Sequence, residues 1–469
     1  MLLVWAVCLP GALAQNLPPE VDAALQRAKV PREAVAMLVV DAEGKGAPRL
    51  SHRAGVAMNP ASVMKLVTTY AALDLLGPAF VWNTPVFIEG AVRDGTLYGN
   101  LVIKGQGDPK LVVERLWLLL RRVQGLGVKA ISGDIVLDHS AFAPATTDPA
   151  DFDGEPLRPY NVAPDALLLN YKSVVMTFVP DRTVNTAQVQ FDPPLAGVAL
   201  QTSVALSAGE CGDYRSTLRA EFSDPSRIRF AGSYPAACLE KVWPVAYADP
   251  KTYAARAVEG MWLEMGGKLG GSVRDGKVAA PAGTVATPVF EVGSPTLAEV
   301  IRDINKYSNN VMAQQLFLTL SLTNRAAGGA GAASFEASRD VVRRWWQERI
   351  GGADAPVLDN GSGLSRVERI SAQGLARLLQ TAWVSAQMPE LVSSLPVAGI
   401  DGTLRRNRSR ASGNAHLKTG SLRDVVAIAG YVHAASGKRY VLVAIANHAN
   451  ANAARPALDA LLDWTVKDN

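Results

Sequence analysis

The stretches that read as strands of one sheet stand at opposite ends of this sequence. Residues 34–41 carry a strand pattern, Glu43-Gly44-Lys45-Gly46 reads as a turn, and residues 48–54 read as the return strand. Near the other end, residues 425–432 and 440–446 form a hairpin pattern of small and β-branched residues across Ser436-Gly437-Lys438. Helical periodicity brackets both, at residues 17–30 and 453–466. A sheet drawn from both chain ends must leave room between them for packed helices and an insertion. From about Pro85 to Val285 the texture changes to short strand-like pieces between Pro, Gly and Asp punctuation. The domain reading is therefore a core of residues 15–84 and 286–469 interrupted by an inserted, β-rich region at 85–285. Setting the insertion aside leaves about 250 residues, an ordinary size for one domain. The expected class is α+β, with an antiparallel sheet flanked by helices from both termini.

Directly after the first hairpin comes Asn59-Pro60-Ala61-Ser62-Val63-Met64-Lys65, running into an apolar stretch that ends at Gly77. Asn59 is a good N-cap, Pro60 suits a first helical turn and Gly77 closes the run. Leu66, Tyr70, Leu73 and Leu76 recur at helical spacing, and Val67, Ala71, Ala72 and Leu75 fill the gaps. A helix apolar nearly all round is expected to be buried. Its first turns nevertheless carry Ser62 and Lys65, three apart and on one face. That pair suits a nucleophile with its base. The plain alternative is a capping serine and a lysine whose head reaches water.

Two more short motifs lie in the core. Tyr307-Ser308-Asn309-Asn310 sits where one helical pattern passes into the next, and Lys418-Thr419-Gly420-Ser421 sits on the strand entering the hairpin. Each alone has an ordinary explanation, and a lone S-x-x-K is expected about once by chance in a chain of this size. The order S-x-x-K, S-x-N, K-T-G is far more specific. Trp345-Trp346, on a helical pattern at 335–350, reads as core rather than as a ligand platform.

With these motifs the chain resembles the low-molecular-mass, class C penicillin-binding proteins of the D-alanyl-D-alanine carboxypeptidase/endopeptidase type. Residues 105–109 (GQGDP), 161–171 (NVAPDALLLNY), 359–366 and 399–404 extend the resemblance over nearly the whole mature chain. It implies a penicillin-binding/β-lactamase-like transpeptidase core with a helical subdomain and a large insertion after the first motif. It implies acyl transfer through a Ser62 ester, with Lys65, Ser308, Asn310 and Lys418 as catalytic residues. Thr419, Gly420 and Ser421 would bind substrate and form the oxyanion site, with the backbone N–H groups of Ser62 and Ser421 as donors. The implied partners are peptidoglycan stem peptides, with β-lactam antibiotics as inhibitors. A β-lactamase or esterase on the same core is the nearest competing function, although no E-x-x-x-N element follows Asn310 to activate a deacylating water. A non-catalytic wall-binding protein would not need the intact motifs.

Residues 1–14 are short, apolar and end in Ala12-Leu13-Ala14, the pattern of a cleaved signal peptide, so export to the periplasm is expected. Without Cys8 two cysteines remain, and in an oxidising compartment Cys211 and Cys238 are expected to pair. Five scattered histidines and no His/Cys cluster give no reason to expect a metal, and no cofactor is implied. The net charge of +4 on 469 residues is mild, so no nucleic-acid partner is expected. No segment is a convincing membrane span.

Overall fold

The computed structural model describes residues 16–144, 148–279, 286–324 and 331–468. The leader at 1–14 and the expected boundary at 285 lie outside them. The chain forms two compact units, one of Met1–Asp74, Ile301–Ser308 and Val342–Asn469, the other of Leu75–Val300 and Asn309–Val341.

The first unit is built on the sheet drawn from both chain ends. Its five strands lie in the order Leu50–His52, Val35–Asp41, Arg439–Asn447, Val425–His433, Ala415–Leu422, and every pairing is antiparallel. Alternation sends Val35, Met37 and Val39 into one core with Leu25 of helix Pro19–Ala28 and Leu458 and Leu461 of helix Arg455–Lys467. The opposite face receives helix Ala372–Trp383, where the Tyr431 hydroxyl donates to the Leu379 carbonyl at 2.8 Å. Both faces of the central strands are thus buried, which explains their nearly unbroken apolar sequence. Each fully buried Val or Leu contributes about 1.5–3 kcal/mol. Helix Lys65–Leu76 is buried from Lys65 to Leu73. Trp345 and Trp346 are core residues: the Trp345 indole donates to Asp74 Oδ2 at 2.8 Å and meets Tyr70 edge-on at 5.6 Å.

The second unit carries most of the short strands. Hairpin Asn83–Arg93/Thr96–Lys104 pairs on one side with Phe290–Gly293 and on the other, in parallel, with Ala130–Ile131 and Ile135–Asp138. The parallel pairing needs a crossover, supplied by helix Val113–Gly125. A second sheet runs Tyr234–Pro235, Ser203–Ser207, Thr186–Asp192, Ser173–Asp181, Lys241–Ala246. Cys211 and Cys238 are joined by a disulfide in this unit. The unit is wider than the expected 85–285. Phe290 pairs with Val86, the Trp82 indole donates to Thr319 at 2.9 Å, and Leu318 packs with Phe142 and Ala166. These contacts draw helix Asn310–Thr323 into it. No described helix is long and apolar enough to cross a membrane.

Candidate active site

The approach to Ser62 is tighter than a helix cap. Asn59 Oδ1 accepts from the Ala61 amide at 2.8 Å, closing a local turn, and Ala61 sits in the left-handed region at φ 47°. Residues Ala61–Met64 then form a 3₁₀ turn with no side-chain cap, and the α-helix starts only at Lys65. This corrects the expectation of an Asn59-capped helix: the carboxamide is committed two residues on, which offers the turn an alternative to helix. Asn59 is itself fixed by Asn447 from the sheet and donates to the Ser365 carbonyl at 2.9 Å. Two glycines press on the same backbone. A Cβ on Gly363 would stand 2.0 Å from the Ala61 carbonyl oxygen, and one on Gly420 2.4 Å from that of Pro60 and 3.2 Å from the Ser62 nitrogen. The strand bearing K-T-G therefore passes backbone-to-backbone beside Ser62.

Lys65 is 0% exposed, so its head does not reach water. Its Nζ donates to Ser62 Oγ at 3.0 Å and to the Ser362 carbonyl at 2.5 Å. Thr68 Oγ1 donates to the neighbouring Gly361 carbonyl at 2.6 Å. Burial pushes the Lys65 amine far below the ordinary lysine range, and the Lys418 charge pushes it the same way; Glu368 acts against them. The turn supplying those carbonyls is held by Glu368, wholly buried, whose Oε1 accepts from the amides of Asp359, Asn360 and Gly361 at 3.1, 3.2 and 2.8 Å.

Lys418 is also 0% exposed. Its Nζ donates to Ser308 Oγ at 2.9 Å and to the Thr419 carbonyl at 2.8 Å. Burial alone lowers it to about 7. Ser308, at φ 57°, ends the run that follows helix Leu297–Tyr307. Strand Ala415–Leu422 is the edge of the sheet, and its start is covered: Leu417 donates to the Pro396 carbonyl and Ala415 accepts from Ala398, both at 2.9 Å. By the two-residue period of a strand, the amides of Thr419 and Ser421 face the same outer side. Thr419 Oγ1 meets Thr403 Oγ1 at 2.7 Å, and Ser421 Oγ accepts from Arg455 at 2.9 Å. The loop carrying Thr403 is anchored by Asp401, which pairs with Lys306 at 2.5 Å and accepts from the Val397 amide at 2.8 Å.

Ser62, Lys65, Ser308, Lys418, Thr419, Gly420 and Ser421 thus belong to one unit. Asn310 belongs to the other, where it opens helix Asn310–Thr323 and donates to the Tyr160 carbonyl at 3.1 Å; the cap of that helix is Asn309, accepting from Met312 at 3.1 Å. The motifs alone did not expose Glu368, Ser362, Thr403 or Arg455. Ser362 and Thr403 lie in the runs 359–366 and 399–404, which carry the family resemblance in sequence without an assigned role, and Glu368 stands just beyond the first of them. Among the described residues no group of three or more His, Cys, Asp or Glu is placed to hold a metal.

Residues 17–467 match the D-Ala-D-Ala carboxypeptidase 3 (S13) family. A D-alanyl-D-alanine carboxypeptidase of Actinomadura sp. strain R39 is 27% identical over 91% of this chain and 80% of its own. Among solved structures, penicillin binding protein 4 (dacB) of Haemophilus influenzae shares the fold with a TM-score of 0.73 at 22% identity, covering 95% of this chain and 99% of its own. A penicillin G-acylated predatory endopeptidase of Bdellovibrio bacteriovorus follows with a TM-score of 0.53 at 15% identity, covering 93% of each chain. The paired lysines and the outer edge of the K-T-G strand thus sit in a chain that belongs to the D-Ala-D-Ala carboxypeptidase 3 (S13) family, a serine D-Ala-D-Ala carboxypeptidase of the low-molecular-mass class C penicillin-binding type.

Proposed function

We propose that Ser62 is the nucleophile and Lys65 its base in hydrolysis of the terminal D-Ala-D-Ala bond of peptidoglycan stem peptides. The observation that carries this is the 3.0 Å contact between Ser62 Oγ and the amine of a wholly buried lysine. A lysine in water, pKa ~10.4, is neutral about one time in 10³ at pH 7, a deficit of roughly 4–5 kcal/mol. Burial and the Lys418 charge favour the free base and so reduce that deficit. Ser62 Oγ attacks the carbonyl of the penultimate D-Ala while its proton passes to Lys65 Nζ. The C–N bond then breaks, and the leaving D-Ala takes a proton relayed through Ser308. Water next hydrolyses the ester, restoring Ser62. The outward amide of Ser421, with that of Ser62, would hold the developing oxyanion. Lys418, Thr419 and Ser421 would bind the terminal carboxylate, and Asn310 the substrate amide. No cofactor takes part.

The same acyl-enzyme chemistry extends to D-Ala-containing cross-links, as a DD-endopeptidase, and to β-lactams, which would acylate Ser62. The leader-like residues 1–14 support export and a periplasmic location. The test is incubation with a pentapeptide and a cross-linked muropeptide, following D-Ala release and dimer cleavage by mass spectrometry. Ser62→Ala should abolish both, along with labelling by fluorescent penicillin, while far-UV circular dichroism is unchanged. A labelled Ser62→Ala variant would place the nucleophile elsewhere. The lifetime of the penicilloyl-enzyme separates this reading from a β-lactamase: long-lived here, quickly turned over there.

A further inference from the structure

Glu368 is a carboxylate with no exposed surface, on the segment that follows the Asp359–Ser365 turn. One oxygen accepts three successive amides of that turn, at 2.8–3.2 Å. The other, Oε2, is buried without a hydrogen-bond partner among the described residues. A carboxylate serving only to cap a turn is costly to bury this way, because half its acceptor capacity is left unused. What the turn delivers is the Ser362 carbonyl, on which the Lys65 amine rests at 2.5 Å, and the Gly361 carbonyl held by Thr68. Two buried groups act on the Lys65 amine here: Lys418 disfavours its charge, and Glu368 favours it. Burial pushes the Glu368 carboxyl above its ordinary range, and Asp359, which accepts from Ser365 Oγ at 2.7 Å, adds to this. The turn amides and the Lys65 charge oppose them and favour the carboxylate.

We propose that Glu368 is a positioning residue for the acyl-transfer base: it fixes the carbonyl that holds Lys65 Nζ, and its buried carboxylate is the counter-charge to Lys65. This rests on the reading of Lys65 as base. The physical need is a match. Burial plus a second lysine would otherwise carry the amine to the point where it is always free but too weak a base to accept the serine proton. One negative charge behind the turn opposes that drift without touching substrate, and the three amide bonds keep it from moving toward the lysines.

The experiment is the pH profile of acylation by fluorescent penicillin for wild type, Glu368→Gln and Glu368→Asp, each checked for folding by circular dichroism. Glu368→Gln removes the charge and retains an acceptor for the turn. Its acidic limb should move to lower pH by about one unit or more, since Lys65 loses its favourable neighbour, and its plateau rate should fall. Glu368→Asp keeps the charge on a shorter arm, so its limb should stay at the wild-type pH while the rate drops from the loosened turn. The proposal is overturned if the Gln limb coincides with wild type, or if Asp shifts the limb as far as Gln does. Ser62→Ala serves as the control on the underlying reading. If it is still acylated, that reading fails; if it is silent while the Gln limb is unmoved, the role of Glu368 alone falls.

Discussion

Replacing Gly363 with alanine tests how closely the turn behind Lys65 governs Ser62, the proposed nucleophile. Gly363 has φ 81°, and a Cβ there would lie 2.0 Å from the Ala61 oxygen, 2.4 Å from its carbonyl carbon and 2.7 Å from Ser62 Cα. The left-handed backbone costs an L-residue about 1–2 kcal/mol. Forcing apart packed backbone that has no flexible end adds about 1–3 kcal/mol. The expected loss is therefore about 2–5 kcal/mol in urea unfolding of the first unit, followed by retention of fluorescent-penicillin labelling. Because the displaced atoms belong to Ala61 and Ser62, the acylation rate in the absence of urea should also fall, by roughly a hundredfold for a shift of about 1 Å. Gly437 provides the control, with φ 86° and nothing within 4 Å of an added methyl group. Its alanine variant should lose only about 1–2 kcal/mol and label at the wild-type rate. Equal stability losses at the two positions, with both variants labelling normally, would refute the argument.

Lys418→Ala removes a charged donor from the site, worth about 1.5–3 kcal/mol, so kcat/KM on carboxylate-bearing peptides should fall roughly ten- to a hundredfold; a normal value contradicts its assignment to the carboxylate. Lys418 is held near 7 in the folded protein against about 10.4 unfolded. The unfolded chain binds the extra proton between those values, so this residue's contribution to stability rises with pH from about 7 to about 10. Denaturation midpoints at pH 7 and 9 should show a rise that is smaller in Lys418→Met; an identical rise in both proteins excludes Lys418 as a source. Thiol titration of the denatured, unreduced protein after removal of residues 1–14 should find no free cysteine, and two free thiols would deny the pairing of Cys211 with Cys238.

The sheet and the motif residues were legible because they depend on local rules. Runs of small and β-branched residues bounded by turn residues mark Val35–Asp41 and the Val425–Asn447 hairpin, and three-residue spacing puts Ser62 beside Lys65 whatever the rest of the chain does. What lay beyond reach was set by partners distant in sequence. Lys65 finds its second acceptor 297 residues away at Ser362, and Glu368 looks like any surface glutamate until the turn closes over it. The start of the Ser62 helix departs from its sequence pattern for a different reason. Asn59 satisfies the pattern of a helix cap, but its carboxamide is captured locally by Ala61, and Gly363 and Gly420 press that backbone into a shape no propensity encodes. The extent of the second unit was hidden likewise, since helix Asn310–Thr323 joins it through Trp82, Phe142 and Ala166 rather than through its neighbours in the chain.

The pairing of Val35–Asp41 with Arg439–Asn447 also dictates an order of folding. Val35–Asp41 precedes residues 75–300 and its partner strand follows them, so the contact order of this unit is high and its closure slow. Residues 75–300, by contrast, are continuous and hold most of the other unit, which can assemble while the rest of the chain is still missing. Ser62 and Lys65 must wait meanwhile without the strand that carries Lys418. A chain interrupted between the Ser308 motif and Arg439 would retain Ser62, Lys65 and Ser308, yet lack the strand that joins the two ends of the sheet. The backbone around Ser62 is therefore complete only once strands from both ends of this sheet have met.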